Sequence, residues 1–315
     1  MIYEAALRPL IGIGIALCLY HLYKILDFIF LHLRSSSISR YNHNNRSWAL
    51  VTGASDGIGF AFAQELSHRG FNIVLHGRNS SKLSNCKAEL EAKFPDQEFY
   101  VFIADVTKDP SAAISKFAES SGHYPLTVLV NNVGGTKGFL DSDFKTLSTH
   151  TPTEITNLAV ANMHFATLLT AALLPTLAKH QPSLIINTGS TSATGMPYLS
   201  VYAATKAYIA AWSFGLKAEM QAEGLDIEVH DIESGTTQSG QNKSAESLAN
   251  PSARTFARAA IAKVGCGRVV VPGWWMHHLE KASLQVLPEW AQRWVLIAAL
   301  KPMKDKGLSE YHKHE

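Results

Sequence analysis

A single passage near residue 50 narrows the fold more than any other. The apolar, strand-forming run Trp48–Thr52 leads into Gly53-Ala54-Ser55-Asp56-Gly57-Ile58-Gly59. Apolar residues then recur at Ile58, Phe62 and Leu66, the spacing of one helix face. Strand, glycine turn and helix together form a phosphate cradle. Glycines allow the tight turn and the close approach of backbone to an anion, and the helix N-terminus contributes its dipole. A glycine turn alone is a weak signal; between a strand and an amphipathic helix it is a strong one.

The rest of the chain fits a fold built on such a unit. Short runs rich in β-branched and apolar residues alternate with helical stretches. The strand candidates are Trp48–Thr52, Asn72–His76, Glu98–Ala104, Leu126–Val130, Ser183–Asn187, Asp226–Ile232 and Arg268–Val271. Several are apolar on both faces, as in strands covered by helices on each side. The expectation is an α/β fold, a doubly wound Rossmann-type parallel sheet of about seven strands, spanning residues 48–315.

Residues 1–34 are a separate object. From Pro9 to Leu33 the chain is mostly apolar, long enough for a membrane-anchoring helix. Lys24 and Asp27 interrupt it and, three apart, would pair on a helix. Arg34, Arg40 and Arg46 follow the run and only Arg8 precedes it, so the bias of positive charge places the main domain in the cytosol. Residues 35–47, rich in Ser, Asn and Arg, read as a linker. Residues 236–265 read as a substrate-side loop and helix, and 283–300 as an apolar C-terminal helix that covers a pocket, dips into the membrane, or packs on the domain itself. The net charge of +2 gives no field favouring nucleic acid. Three scattered cysteines and no CxxC imply neither disulfide scaffold nor zinc site. His277–His278 and the tail His312–His314 lack acidic or cysteine partners at ligand spacing, so no metal is expected.

The chemistry sits at Tyr202-Ala203-Ala204-Thr205-Lys206. A spacing of four puts both side chains on one helix face. A tyrosine of pKa near ~10 exchanges protons poorly at neutral pH, and an ammonium beside it would lower that value. Upstream, Asn131-Asn132-Val133-Gly134 closes the fourth strand. With the TGxxxGxG turn and YxxxK, the chain resembles the short-chain dehydrogenase/reductase family. The resemblance covers residues 48–315. In the stretch Asn250–Ile261, the tail from Leu287 and the N-terminal anchor it is similar to the very-long-chain 3-oxoacyl-CoA reductase and 17β-hydroxysteroid dehydrogenase type 3/12 group.

That resemblance implies specific roles. NADP(H) would be held by Thr52, Gly53, Ser55, Gly57, Ile58, Gly59, Asp105, Val106, Asn132, Gly134, Gly235 and Thr236, with Tyr202 and Lys206 at the nicotinamide ribose. No acid follows the second strand, and Arg78 is placed for a 2′-phosphate. Tyr202, Lys206, Ser190 and Asn162 would form the catalytic set. The family's usual spacing puts the serine at Gly189; Ser190 implies a one-residue deletion, and Ser192 is the reserve. The family's Pro-Gly after the sixth strand reads Ser234-Gly235 here, which alters loop rigidity. The implied activity is NADPH-dependent reduction of a ketone on a lipid-like substrate, best matched by a long-chain 3-oxoacyl-CoA, at the endoplasmic reticulum, and the family's habit of pairing through the helix that holds Tyr202 implies a homodimer. A steroid, terpenoid or polyketide ketone is the alternative, and a non-catalytic NADP-binding scaffold the reading from another class.

Overall fold

The computed structural model describes residues 2–122, 124–240, 242 and 244–311, with side chains from residue 9 to 306; His312 and His314 lie outside the described residues. Seven strands form one parallel sheet: β1 (Trp48–Val51), β2 (Asn72–Gly77), β3 (Phe99–Ile103), β4 (Leu126–Asn131), β5 (Ser183–Ser190), β6 (Ile227–Ser234) and β7 (Val270–Pro272). Their order is β3-β2-β1-β4-β5-β6-β7. All seven expected runs are strands, with ends moved by a few residues. The order reverses between β1 and β4, which opens a crevice at their C-terminal ends, the place where such sheets bind ligands.

Ten helices accompany them among the described residues: α1 (Ile2–Leu33), α2 (Gly57–His68), α3 (Ser80–Lys93), α4 (Ser111–Ser121), α5 (Pro152–Ala159), α6 (Phe165–Lys179), α7 (Ser200–Ala222), α8 (Ala253–Ile261), α9 (Trp275–Gln285) and α10 (Glu289–Tyr311). The strands from β1 to β6 supply both faces of the core. Ala49 and Val51 of β1 pack with Phe62 and Leu66 of α2 and Phe256 of α8. Trp48 and Leu50 pack with Phe117 of α4, Phe165 and Leu169 of α6 and Leu216 of α7. This two-sided burial explains the unbroken apolar runs.

Helix α1 holds a stretch, Pro9–Leu33, long and apolar enough to cross a membrane, with mean hydropathy 1.6. Its large apolar side chains from Leu10 to Ile25 are all more than half exposed. Its foot is fastened to the domain. Asp27 pairs with Arg268 ahead of β7 rather than with Lys24, and the Lys24 ammonium lies over the Tyr20 ring at 5.6 Å. Lys263 Nζ donates to Leu31 O at 3.1 Å, and His32 Nε2 meets His278 Nδ1 of α9 at 3.0 Å.

The segment 35–47, expected as a linker, is packed. Ile38 and Tyr41 are each 1 % exposed. Ser36 Oγ donates to Ile261 O at 2.6 Å, Tyr41 bonds Glu228 of β6, and Thr127 Oγ1 donates to Tyr41 O at 2.6 Å. Composition read as loop because its polar residues bond the domain's backbone, while two apolar side chains anchor it.

At the C-terminus, the expected helix 283–300 is two helices. The chain breaks at Val286-Leu287-Pro288, since a proline cannot continue α9 and suits the start of α10. Trp290 and Trp294 of α10 are each 69 % exposed, so this part of α10 does not bury its aromatics on the core.

Candidate active site

The glycine turn is stitched to the end of β4 by Thr52. Its hydroxyl accepts from Asn132 N at 2.8 Å and Val133 N at 3.1 Å, and Asn132 Nδ2 donates to Thr52 O at 3.0 Å. Gly53 and Gly57 have φ of +66° and +56°, a region costly for other residues. Gly59 has ordinary φ, but a Cβ there would collide with Gly53 O and lie 2.6 Å from Asn132 Nδ2. The first turn of α2 therefore sits directly on the loop and aims its N-terminus into the crevice. Asp56 caps that helix, accepting from Gly57 N at 2.6 Å.

A cavity of about 330 Å³ runs from this turn along the end of β2; Gly53, Ser55, Arg78, Lys82, Val106 and Asn132 line it. Arg78 Nη2 is 3.3 Å from where a Cβ on Gly138 would stand, so the guanidinium crosses that loop at the cavity's rim. Asp105 does not line it. Its carboxylate accepts from Thr107 N at 3.0 Å and Thr107 Oγ1 at 2.8 Å; against the burial that raises it, these bonds hold it below the usual carboxylate range. Lys82 and Lys137 also line this cavity and were missed in the sequence. The available signal was a lysine in the first turn of α3, where Asn79 caps Lys82 N at 2.9 Å.

A second cavity, of about 470 Å³, adjoins the first. Ile58, Ser190, Tyr202, Lys206, Thr236 and Met303 are among its walls. Tyr202 and Lys206 project into it together from α7, the Lys206 ammonium 5.7 Å from the Tyr202 ring centroid. Lys206 is 4 % exposed and donates to Thr188 O at 2.8 Å. Burial lowers it to about 8, opposed by the charge of Asp231. Tyr202 departs from expectation: burial raises the phenol, and the Ser190 hydrogen bond is the influence that lowers it. Desolvation outweighs that hydrogen bond here.

Ser190 faces the phenol. Ser192 stands behind it, donating from Oγ to Ser190 Oγ at 2.9 Å, while Ser192 N donates to the same oxygen at 3.2 Å. Asn162, 2 % exposed, sits in a π-helical turn, Val160–His164, between α5 and α6; such turns often mark functional positions. Its Oδ1 accepts from Gly135 N at 2.8 Å, and its Nδ2 donates to Gly135 O at 3.1 Å and Leu158 O at 3.0 Å. Gly134 lies between Asn162 and Lys206: a Cβ there would stand 2.5 Å from Asn162 Oδ1 and 3.4 Å from Lys206 Nζ.

The loop after β6 is braced by a residue read in the sequence only as a possible metal ligand. His277 of α9 is fully buried. Its Nδ1 accepts from Gly235 N at 3.0 Å, and its Nε2 faces Thr236 O at 3.0 Å. These partners require Nδ1 as acceptor and Nε2–H as donor, the neutral ring; burial lowers its pKa accordingly. Rigidity that a proline would confer at residue 234 comes instead from this imidazole.

Comparison with known proteins agrees with this geometry. The family model for short chain dehydrogenase matches residues 47–249. A very-long-chain 3-oxoacyl-CoA reductase of Neurospora crassa is 32 % identical over 261 residues, covering 79 % of this chain and 75 % of the relative. A putative steroid dehydrogenase 3 of Caenorhabditis elegans is 31 % identical over 286 residues, covering 89 % of each. The solved structure of a short-chain dehydrogenase from Sphingobium yanoikuyae in complex with NADPH shares the fold at a TM-score of 0.63 and 23 % identity, covering 77 % of this chain and 97 % of that one.

Proposed function

The chain belongs to the short-chain dehydrogenase family of oxidoreductases, and from that premise we propose that it reduces a ketone on a long-chain, lipid-like acyl substrate with NADPH at a membrane surface. The observation that carries this reading is the meeting of Tyr202, Ser190 and Lys206 on one cavity that also reaches Ile58 of the glycine turn and Gly235 after β6.

The residues present fit a phosphorylated dinucleotide. The close contact of α2 with Gly53 leaves backbone N–H groups for a pyrophosphate, and the end of β2 offers Arg78 and Lys82 with no acid to accept a ribose diol. That cationic pair favours a 2′-phosphate. When bound, the nicotinamide supplies the hydride. Tyr202 donates its phenolic proton to the carbonyl oxygen, which becomes the alcohol hydroxyl. A phenol raised by burial stays protonated at neutral pH, the state a reductase needs. Ser190 hydrogen-bonds the same oxygen, and Lys206, a cation below about pH 8, stabilises the phenolate left behind. Asn162 holds the Gly134–Gly135 loop that separates it from Lys206.

The names of the relatives support a 3-oxoacyl-CoA substrate, and Met303 of α10 at the cavity wall supplies an apolar boundary for a chain. The steroid dehydrogenase relative supports a bulky cyclic ketone as the second reading. Helix α1 supports anchoring, and the arginines after it support a domain on the cytosolic face, at the endoplasmic reticulum if the reductase reading holds. Phe214, 66 % exposed on α7, supports pairing of two copies through that helix.

Membranes carrying the protein, supplied with NADPH and a chain-length series of 3-oxoacyl-CoA beside steroid ketones, test the reading through loss of nicotinamide absorbance. Tyr202→Phe is expected to lower kcat by about 10²–10⁴-fold, the range of a lost general acid, with NADPH affinity kept within a few-fold. No turnover on any of these ketones, with wild type equal to Tyr202→Phe, would sink it and favour a scaffold; equal and substantial turnover would instead remove Tyr202 as the proton donor.

A further inference from the structure

Asp231, in the middle of β6, is 1 % exposed. Neither of its carboxylate oxygens has a hydrogen-bond partner among the described residues. A buried carboxylate without partners is costly, so natural folds keep few of them. The sheet makes room for this one. On the neighbouring strand β5, residue 189 is a glycine, and a Cβ there would collide with Asp231 Oδ1 and lie 2.9 Å from Oδ2. The residue before it, Thr188, offers the carbonyl that takes the Lys206 ammonium at 2.8 Å. Carboxylate and ammonium thus approach the same stretch of β5, Thr188–Gly189, whose two residues line the catalytic cavity with Lys206.

The other charges facing this point are few. Glu233, two residues along β6, is tied to Lys281 of α9 at 2.6 and 2.7 Å, so its own charge is answered. Burial and then Glu233 push Asp231 up to about 7, while Lys206 and Lys281 pull it down. For Lys206, burial is opposed by Asp231 alone among the influences resolved.

We propose that Asp231 is a positioning residue for Lys206: set beside the Thr188–Gly189 peptide, its carboxylate keeps the lysine charged and drawn to the sheet while Tyr202 gives up its proton. This rests on Tyr202 acting as proton donor. It accounts for an unpaired carboxylate that packing does not need and for a glycine where the family's usual spacing would place the serine. An anion near a cation raises the cation's pKa, so removing it makes Lys206 lose its proton at lower pH. Stability runs the other way. An acid whose folded pKa lies above its unfolded value weakens the fold as pH rises from about 4 towards that folded value, and a neutral residue at 231 abolishes that loss.

The test compares membrane-bound wild type, Asp231→Asn and Asp231→Ser with saturating NADPH and a 3-oxoacyl-CoA, measuring kcat from about pH 6 to 9 together with thermal midpoints. The expected result is an alkaline limb displaced downward by about one pH unit in both variants, with midpoints at pH 8 equal to or above wild type. A wild-type limb in either folded variant overturns the proposal, as does failure of both to fold, which would make Asp231 a structural requirement. Tyr202→Phe run in parallel separates the layers: if it is inactive while Asp231→Asn matches wild type, only the role of Asp231 falls; if it is active, the proton-donor reading falls with it.

Discussion

At the scale of single residues, the site is governed by which groups are desolvated and what answers them. Tyr202 and Lys206 are one helical turn apart, as the spacing requires, yet burial moves the phenol up and the ammonium down. On the proposed reading, cofactor choice turns on Arg78. It stands at the rim of the cavity at the end of β2 beside Gly138, with Lys82 on the same wall. Replacing it with aspartate sets a carboxylate against a 2′-phosphate and offers an acceptor to a ribose hydroxyl. Arg78→Asp is expected to raise KM for NADPH by about tenfold or more, the equivalent of a lost charge-assisted hydrogen bond, and to shift the kcat/KM ratio towards NADH. An unchanged ratio would remove Arg78 from the cofactor site.

At the scale of elements, short connections do the positioning. The β1–α2 unit works because residues 53, 57 and 59 carry no side chain, two for backbone conformation and one for clearance. The loop after β6 works because His277 reaches it from α9. Its two ring nitrogens hold Gly235 N and Thr236 O at 3.0 Å each, and residue 235 is glycine because a Cβ would stand 2.6 Å from that ring. Truncation to His277→Ala leaves both backbone groups unanswered and a void among buried side chains. The expected cost is about 2–4 kcal/mol of stability, read as a lower denaturant midpoint, along with a rise in KM for NADPH. Normal KM at reduced stability would show that the loop keeps its shape without the imidazole.

At the scale of the whole molecule, the foot of α1 and the α/β domain are one packed object rather than two bodies on a tether. Leu31, Ile38 and Tyr41 enter the core that also holds Phe62 and Phe256, and Arg34 Nη2 donates to Gly265 O at 2.7 Å. Two truncations separate the roles of these residues. Removing residues 1–23 takes away Pro9–Tyr23, all exposed, and is expected to release protein from membranes with its thermal midpoint preserved. Removing residues 1–40 also strips Leu31 and Ile38 from the core, at about 1.5–3 kcal/mol per side chain, and is expected to lower the midpoint by several degrees or prevent soluble expression. Sedimentation of the shorter truncation with membranes would assign attachment to α10, where Trp290 and Trp294 are exposed.

Periodicity and local chemistry carried the strand–helix alternation, the glycine turn and the Tyr202–Lys206 pair, because each depends on residues within a few positions of one another. The seven strands were readable since burial on both faces leaves an apolar run in the chain itself. The order of residues along the chain favours Ser190 with Ser192 in reserve; only tertiary packing turns the first hydroxyl to the phenol and sets the second behind it. His277 and Asp231 could not be read in the same way. Their surroundings come from residues far away in the chain, and a histidine or an aspartate has the same local signature whether solvated or buried. For the same reason residues 35–47 passed as a linker: polar groups that bond a distant backbone look, in one dimension, like polar groups that face water. Local pattern determines which elements form; three-dimensional packing decides which charges lose their water, and therefore which of them can act.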